Sequence, residues 1–131
     1  MQNQRFTGNE TFKRSFEELT VADSEFEEYI LEGANLMDAV FERCTFKKVD
    51  FYWASMFRAK FVNCSLEDVD LRGANMEGAS FTGCRLVRCD FSRDNLGAET
   101  NLSPVRFEDT EQVDCIYSKA KVPNQSTDPA P

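Results

Sequence analysis

From Phe16 to Leu96, every fifth residue is large and apolar, through seventeen positions without an exception. The stretch ANLMDAVFERCTFKKVDFYW (residues 34–53) shows the pattern in miniature: Leu36, Phe41, Phe46 and Phe51 stand five apart with polar or charged residues in most of the gaps. An α-helix repeats every 3.6 residues and a strand every two, so this period belongs to neither. Two residues before each large side chain lies a second slot. From Ala34 to Cys89 it holds only small residues: Ala34, Ala39, Cys44, Val49, Ala54, Ala59, Cys64, Val69, Ala74, Ala79, Cys84 and Cys89. A twenty-residue period overlies the period of five. Aligning residues 34–53, 54–73 and 74–93 puts Cys44, Cys64 and Cys84 in one column and Asp50, Asp70 and Asp90 in another. Backwards from Phe16 the series misses at Thr11 and returns at Phe6; forwards it breaks at Asn101.

These units resemble the pentapeptide-repeat family, whose loose consensus is A-(D/N)-L-x-x; GANLM (33–37) and GANME (73–77) are close matches. The resemblance covers roughly residues 14–97, about two-thirds of the chain. It implies an all-β fold, a right-handed quadrilateral parallel β-helix in which each unit forms one side and four sides close a coil. The chain holds about four to five such coils of twenty residues. The physics agrees, because coils stacked at the ~4.8 Å strand spacing satisfy their backbone groups with the coils above and below. The expected inward columns are Phe16, Leu36, Met56, Met76 and Leu96; Val21, Phe41, Phe61 and Phe81; Phe26, Phe46, Leu66 and Leu86; and Leu31, Phe51, Leu71 and Phe91. Layers of side chains then fill the interior, and no cavity is expected there.

A solenoid has to shield its end coils, since an open coil is an unpaired edge. Residues 1–13 read as an N-terminal lead-in or cap, 14–97 as the β-helix, 98–122 as an irregular C-terminal cap or dimerisation segment, and 123–131 as a disordered tail. Within the C-terminal segment Leu102, Val105, Phe107, Ile116 and Tyr117 are expected to cover the last coil or to dock with a second copy, giving a homodimer.

Composition narrows the function. The chain has no histidine, the usual general base and a common zinc ligand, and no Gly-rich phosphate loop, so an enzyme is not expected. Five cysteines in a chain with no export signal are expected to remain thiols in the cytoplasm. The Cys44–Cys64–Cys84 column invites a metal or redox reading, but buried thiols also act as small hydrophobes, and no metal or cofactor is expected. The Asp50–Asp70–Asp90 column reads as Asx turns, as a binding surface, or as paired carboxylates. A net charge of −8 disfavours nucleic acid or an anionic membrane as direct partner.

Two surfaces are candidates for a protein partner. Residues 1–33 carry 8 acids against 3 bases, residues 34–93 carry 8 against 9, and residues 94–131 carry 7 against 3. The acidic coil with Glu17, Glu18, Asp23, Glu25, Glu27, Glu28 and Glu32 reads as a solvated face or as a docking patch for a basic partner. The family resemblance implies a specific version of the latter, because some pentapeptide-repeat proteins mimic duplex DNA and protect type II topoisomerases from quinolones or peptide toxins. An immunity protein covering a basic toxin belongs to the same class. The second surface is aromatic: Met37 and Phe57 share an outward position on neighbouring coils, with Tyr52 and Trp53 at the adjoining corner. Such a cluster on a polar solenoid marks a contact site unless the terminal segment folds over it. The resulting expectation is a non-enzymatic adaptor or inhibitor that shields another protein.

Overall fold

The computed structural model describes residues 1–7, 15–92, 100–102 and 104–117. Its local geometry starts from the last residue of each five-residue unit, which lies in the left-handed region: φ is 52° at Asp23, 51° at Glu28, 58° at Asp38, 54° at Arg43 and 56° at Lys48. One left-handed residue in five turns an extended chain through a corner, and four corners return it to its starting side.

Eleven three-residue strands occur among the described residues: β1 (Arg5–Thr7), β2 (Thr20–Ala22), β3 (Glu25–Glu27), β4 (Val40–Glu42), β5 (Thr45–Lys47), β6 (Lys60–Val62), β7 (Ser65–Glu67), β8 (Ser80–Thr82), β9 (Arg85–Val87), β10 (Arg106–Glu108) and β11 (Glu111–Val113). They form two parallel sheets, one in the order β1-β3-β5-β7-β9-β11 and one in the order β2-β4-β6-β8-β10. These are the third and second sides of a four-sided β-helix. The first side is joined by the bridges Ser15–Asn35–Ser55–Asn75–Asn101, and the fourth by Ile30–Asp50–Asp70–Asp90–Ile116. Backbone hydrogen bonds run from coil to coil, as where Leu36 N–H donates to the Ser55 carbonyl at 2.7 Å and Ser55 N–H to the Ala34 carbonyl at 2.9 Å.

Both apolar slots point inward. Phe41, Phe61 and Phe81 are fully buried, as are Leu36, Phe51, Met56, Leu66, Leu71, Met76, Leu86 and Phe91, and Phe46 is 1% exposed. Along the axis the rings stack face to face: Phe26 on Phe46 at 4.7 Å, Phe41 on Phe61 at 5.1 Å, Phe61 on Phe81 at 4.9 Å. Across the tube they meet edge to face, as Phe46 and Phe61 do at 5.7 Å and 68°. The small slot gives each large ring room to cross the interior.

The two ends differ from the sequence expectation. The N-terminal lead-in contributes a rung: β1 pairs with β3, and Phe6 stacks on Phe26 at 4.4 Å. The C-terminal segment expected to be irregular re-enters the helix. Asn101 bridges Asn75, Phe107 is the partner of Phe81, and Gln112 is the partner of Leu86. Leu102, Val105, Phe107 and Tyr117 are buried as core, while Ile116 stays half exposed. The five-residue step therefore resumes through Leu102, Phe107, Gln112 and Tyr117, one residue out of phase with Leu96. Leu96 and Asn95 lie outside the described residues, as do residues 8–14 and the tail from 118 onward.

Phe61 has a stacked ring above and below it, so Phe61→Ala leaves a hole that neighbouring coils cannot collapse into. It should cost ~3–5 kcal/mol in denaturant unfolding. A loss below about 1 kcal/mol would contradict this packing.

Candidate functional site

With the interior filled by side chains, chemistry and recognition are confined to the outer walls. On the fourth side, each aspartate of the column closes a turn. Asp50 Oδ1 accepts the N–H of Tyr52 at 2.8 Å, Asp70 that of Arg72 at 3.0 Å, and Asp90 that of Ser92 at 2.9 Å. Asn35 and Asn75 do the same for Met37 and Glu77 on the first side, at 3.0 and 3.2 Å. This is the Asx turn, in which a short side chain bonds the backbone two residues on. The three aspartates are stacked and half-buried, with part of their acceptor capacity committed to the turn below each one.

The corner between the fourth and first sides is occupied on successive coils by Gly33, Trp53 and Gly73, the last two entered through the turns at Asp50 and Asp70. Their φ values are 69°, 61° and 72°. This is the corner geometry of the whole solenoid, shared with Arg43, Lys48, Arg58 and Arg88; what sets Trp53 apart is its aromatic side chain. Gly33 and Gly73 carry no side chain, so the indole has no side chain beside it in its own column. Trp53 is 51% exposed. Its ring lies nearly parallel to Tyr52, with centroids 6.3 Å apart and planes at 20°. Arg72 sits 5.3 Å from the centre of the Tyr52 ring. It is held by Asp70 at 2.8 Å, with Asp90 at 3.9 Å. A cavity of about 230 Å³ opens here, lined by Glu32, Gly33, Tyr52 and Trp53.

Met37 and Phe57 do not join this corner. Both are half-buried near the far end of the first side, where the Arg58 guanidinium covers the Phe57 ring at 4.6 Å and forks onto Asp38 at 2.9 and 3.0 Å. Trp53 lies in the turn Phe51–Ala54 and Phe57 in the next one, Met56–Ala59, so the two aromatics stand at opposite ends of the first side. Sequence reasoning missed Arg72, Gly33 and Gly73 as parts of the corner. Their signal was present in the twenty-residue alignment, where the two glycines flank Trp53 and Arg72 falls under Tyr52.

The acidic coil is partly compensated from within the chain. Arg43 forks onto Asp23 at 2.7 and 3.1 Å, Arg5 lies 3.9 and 3.8 Å from Glu25 and Glu27, and Asn35 donates to Glu17 at 3.2 Å. Glu18 and Glu28 project from exposed corners. The fork recurs where Arg88 holds Asp68 at 2.7 and 3.1 Å and also reaches Glu67 at 2.7 Å. In each fork the arginine stands twenty residues after its aspartate, at the same corner one coil on. Hydrogen bonding to these arginines holds the Asp23 and Asp68 carboxyls below the usual carboxylate range.

The cysteine column is a hydrogen-bonding strip. The Cys64 and Cys84 thiols each donate to a phenylalanine carbonyl of the coil before, Phe41 and Phe61, at 3.2 Å, and Cys84 Sγ accepts the N–H of Cys64 at 3.4 Å. Ser24 and Thr110 continue the column at either end: Ser24 Oγ accepts Gln4 N–H at 3.0 Å, and Thr110 Oγ1 donates to the Phe81 carbonyl at 2.9 Å. Slots that read as mere space-filling therefore select side chains with an S–H or O–H. Hydrogen bonds with Cys44 and Cys84, and then burial, push the Cys64 thiol far above its ordinary value. All five cysteines are buried and none forms a disulfide. Among the described residues no group of three His, Cys, Asp or Glu is arranged to hold a metal ion.

A family model described as a pentapeptide repeat region matches residues 22–98. The chain belongs to the pentapeptide-repeat family. Among solved structures it is similar to Rfr23, a pentapeptide repeat protein from the cyanobacterium Cyanothece 51142, at a TM-score of 0.56 and 17% identity over 82% of this chain and 67% of that one. It is also similar to a pentapeptide repeat protein from the thylakoid lumen of Arabidopsis thaliana, at a TM-score of 0.56 and 22% identity over 74% of this chain and 59% of that one. The plasmid-mediated fluoroquinolone resistance protein QnrB1, full length, matches at a TM-score of 0.34 and 16% identity. The chain spans about three-fifths to two-thirds of the length of the first two. These likenesses concern the fold. No curated protein matches the chain in sequence.

Two outcomes follow. Because the native carboxyls of Asp23 and Asp68 are depressed, their contribution to stability is present above the ordinary carboxylate value and is lost as pH falls through the lowered ones. Denaturant midpoints should hold level near neutrality and decline below about pH 4, and the double variant Arg43→Gln, Arg88→Gln should shrink that decline. An unchanged acid limb in the variant would refute it. In a native thiol titration Cys44, Cys64 and Cys84 should stay unreactive until the protein unfolds.

Proposed function

We propose that this protein is a non-enzymatic binding β-helix that docks on another protein and shields it, anchored at the Tyr52–Trp53 corner and flanked by the acidic end coil. The observation that carries this reading is Trp53 itself, a half-exposed indole in a left-handed conformation between two glycine corners. Every other non-glycine corner among the described residues is polar or charged, and an exposed indole gains nothing from water. A large aromatic of this kind matches the anchors that dominate binding energy in protein interfaces. The filled core supports a role for the walls.

A second reading is favoured by the charge at the two ends. Glu17, Glu18, Glu25 and Glu28 near one end, and Glu108, Asp109, Glu111 and Asp114 near the other, are all exposed. They suit a basic partner, such as a topoisomerase covered by a DNA mimic or a toxin covered by an immunity protein. The arginine forks at Asp23, Asp38 and Asp68 interrupt a continuous acidic stripe, which is why the anchor reading is preferred.

Trp53→Ala should retain the native circular dichroism spectrum and lower affinity for a partner identified by pull-down at least ~30-fold, the weight of an interface hot spot. Affinity dominated by acidic complementarity would instead survive this variant and fall steeply with ionic strength. Undiminished binding by a folded Trp53→Ala variant would remove the corner from the function.

A further inference from the structure

On the third side the charge changes sign at every rung. Its first rung presents Arg5, the second Glu25, Glu27 and the corner Glu28, and the third Lys47 and the corner Lys48. The fourth presents Glu67 and Asp68, the fifth Arg85 and Arg88, and the sixth Glu111 and Asp114. Part of this alternation is used within the chain, where Arg88 reaches Glu67 and Asp68 at 2.7 Å and Arg85 reaches Glu111 at 2.9 Å. In the middle of the wall Lys47 and Lys48 are exposed, and Arg88 is the only cation in ion-pair contact with Glu67 and Asp68 among the described residues. An even number of alternating rungs makes the wall complementary to itself. A two-fold axis parallel to the strands, between the third and fourth rungs, lays a second copy face to face on the first with the tubes antiparallel, so that each rung meets its counterpart counted from the other end. Lys47 then faces Glu67, Lys48 faces Asp68, Glu25 faces Arg85, Glu28 faces Arg88 and Arg5 faces Glu111. The remaining outward positions oppose Glu27 to Val87, Thr7 to Val113 and Thr45 to Ser65, and no like charges meet. The position opposite Asp114 lies outside the described residues. Other registers fail: an axis along the tube sets each rung on its own copy, and a slip of one rung sets acid on acid and base on base, which is destabilising.

We infer that the third side is an interface with a second copy of this chain, forming an antiparallel two-fold dimer whose register is set by charge. Such an interface is isologous, the same patch serving both copies. The ion pairs within each chain persist in it, because a carboxylate offers about four acceptor sites and can be shared between a donor of its own chain and one across the interface. The wall spans ~24 Å along the tube and ~13 Å along the strands. That is less than the roughly 800 Å² per partner of a standard stable complex, so the dimer is weak and reversible, and its charges supply register more than strength. The C-terminal residues that could have joined two copies at the end of the tube, Leu102, Val105, Phe107 and Tyr117, are buried as core. The Trp53 corner, between the fourth and first sides, stays outside this interface, so the dimer carries two copies of it and does not depend on what it binds.

The test is sedimentation of the full chain up to about 1 mM protein, the range of a weak interface. It is run at about 0.1 M salt, where a Debye length of ~10 Å screens the mutual repulsion of two acidic chains and spares charges in contact. A concentration-dependent dimer should appear and should dissociate at about 1 M salt. The double variant Lys47→Glu, Lys48→Glu should sediment as a monomer throughout, and so should Glu67→Lys, Asp68→Lys, each with unaltered circular dichroism. Mixed in equal amounts the two should dimerise again, because the reversed third rung of one then meets the reversed fourth rung of the other. If a reversal unfolds the chain, the neutral variant Lys47→Gln, Lys48→Gln carries the test and should weaken dimerisation roughly 10-fold, the combined weight of four exposed pairs. A wild-type chain that stays monomeric throughout, a dimer that ignores these substitutions, or a mixture of folded reversed variants that stays monomeric would each overturn the inference. A dimer lost in Ile116→Asp and kept in the reversed variants would overturn it too, placing the second copy at the end coil.

Discussion

The in-register hydrogen bonding of one coil to the next is the constraint on which everything else in this molecule depends. Each side is too short to be stable alone. It persists because its N–H and C=O groups are bonded to the same side one coil earlier and later, and that pairing holds only if every coil turns its corners at the same places. The left-handed residue at each corner enforces this, whether it is Gly33 or a side chain such as Arg43 or Asp68. Once register is set, like stacks on like: phenylalanine on phenylalanine, aspartate on aspartate, thiol on thiol.

The same stacking explains how charges are arranged outside. Identical charges at one corner of successive coils would lie about 5 Å apart and repel. At three corners the chain pairs opposite charges instead, so that Arg43 forks onto Asp23, Arg58 onto Asp38 and Arg88 onto Asp68. Such pairs are exposed, and each adds little stability on its own. Their consequence is for recognition: they break the acidic surface into compensated strips and leave the exposed acids concentrated in the first and last coils.

Against this regular background the fourth-to-first corner stands out. Among the described residues, every non-glycine corner in the left-handed region other than Trp53 holds a charged or polar residue. Its neighbours in the column are glycines, its preceding residue is an aromatic already engaged with Arg72, and the turn beneath it is clamped by Asp50. The wall therefore presents an aromatic projection on a turn that Asp50 fixes. A backbone turn fixed before binding loses little freedom when a partner closes over it.

The period of five was legible because the interior admits two side chains per side and rejects charge. That alone sufficed to assign the family, the four columns and the burial of Phe41, Phe61 and Leu71. The re-entry of residues 100–117 was harder to see, since Gln112 occupies a large slot and Leu102 is one residue out of phase with Leu96; hydrogen bonding of Thr100 to Gly73 and of Thr110 to Cys84 holds that coil in place. Likewise, the sequence placed Met37, Tyr52, Trp53 and Phe57 outside but grouped them as one patch, because a linear alignment records which column a residue occupies and not how far apart two columns stand around a square. The sequence by itself determined what points inward, because burial is repeated at every rung and leaves a periodic trace. The tertiary structure alone decided which outward side chains meet, which acids are compensated and where a cavity opens, because those depend on distances between sides that no period encodes.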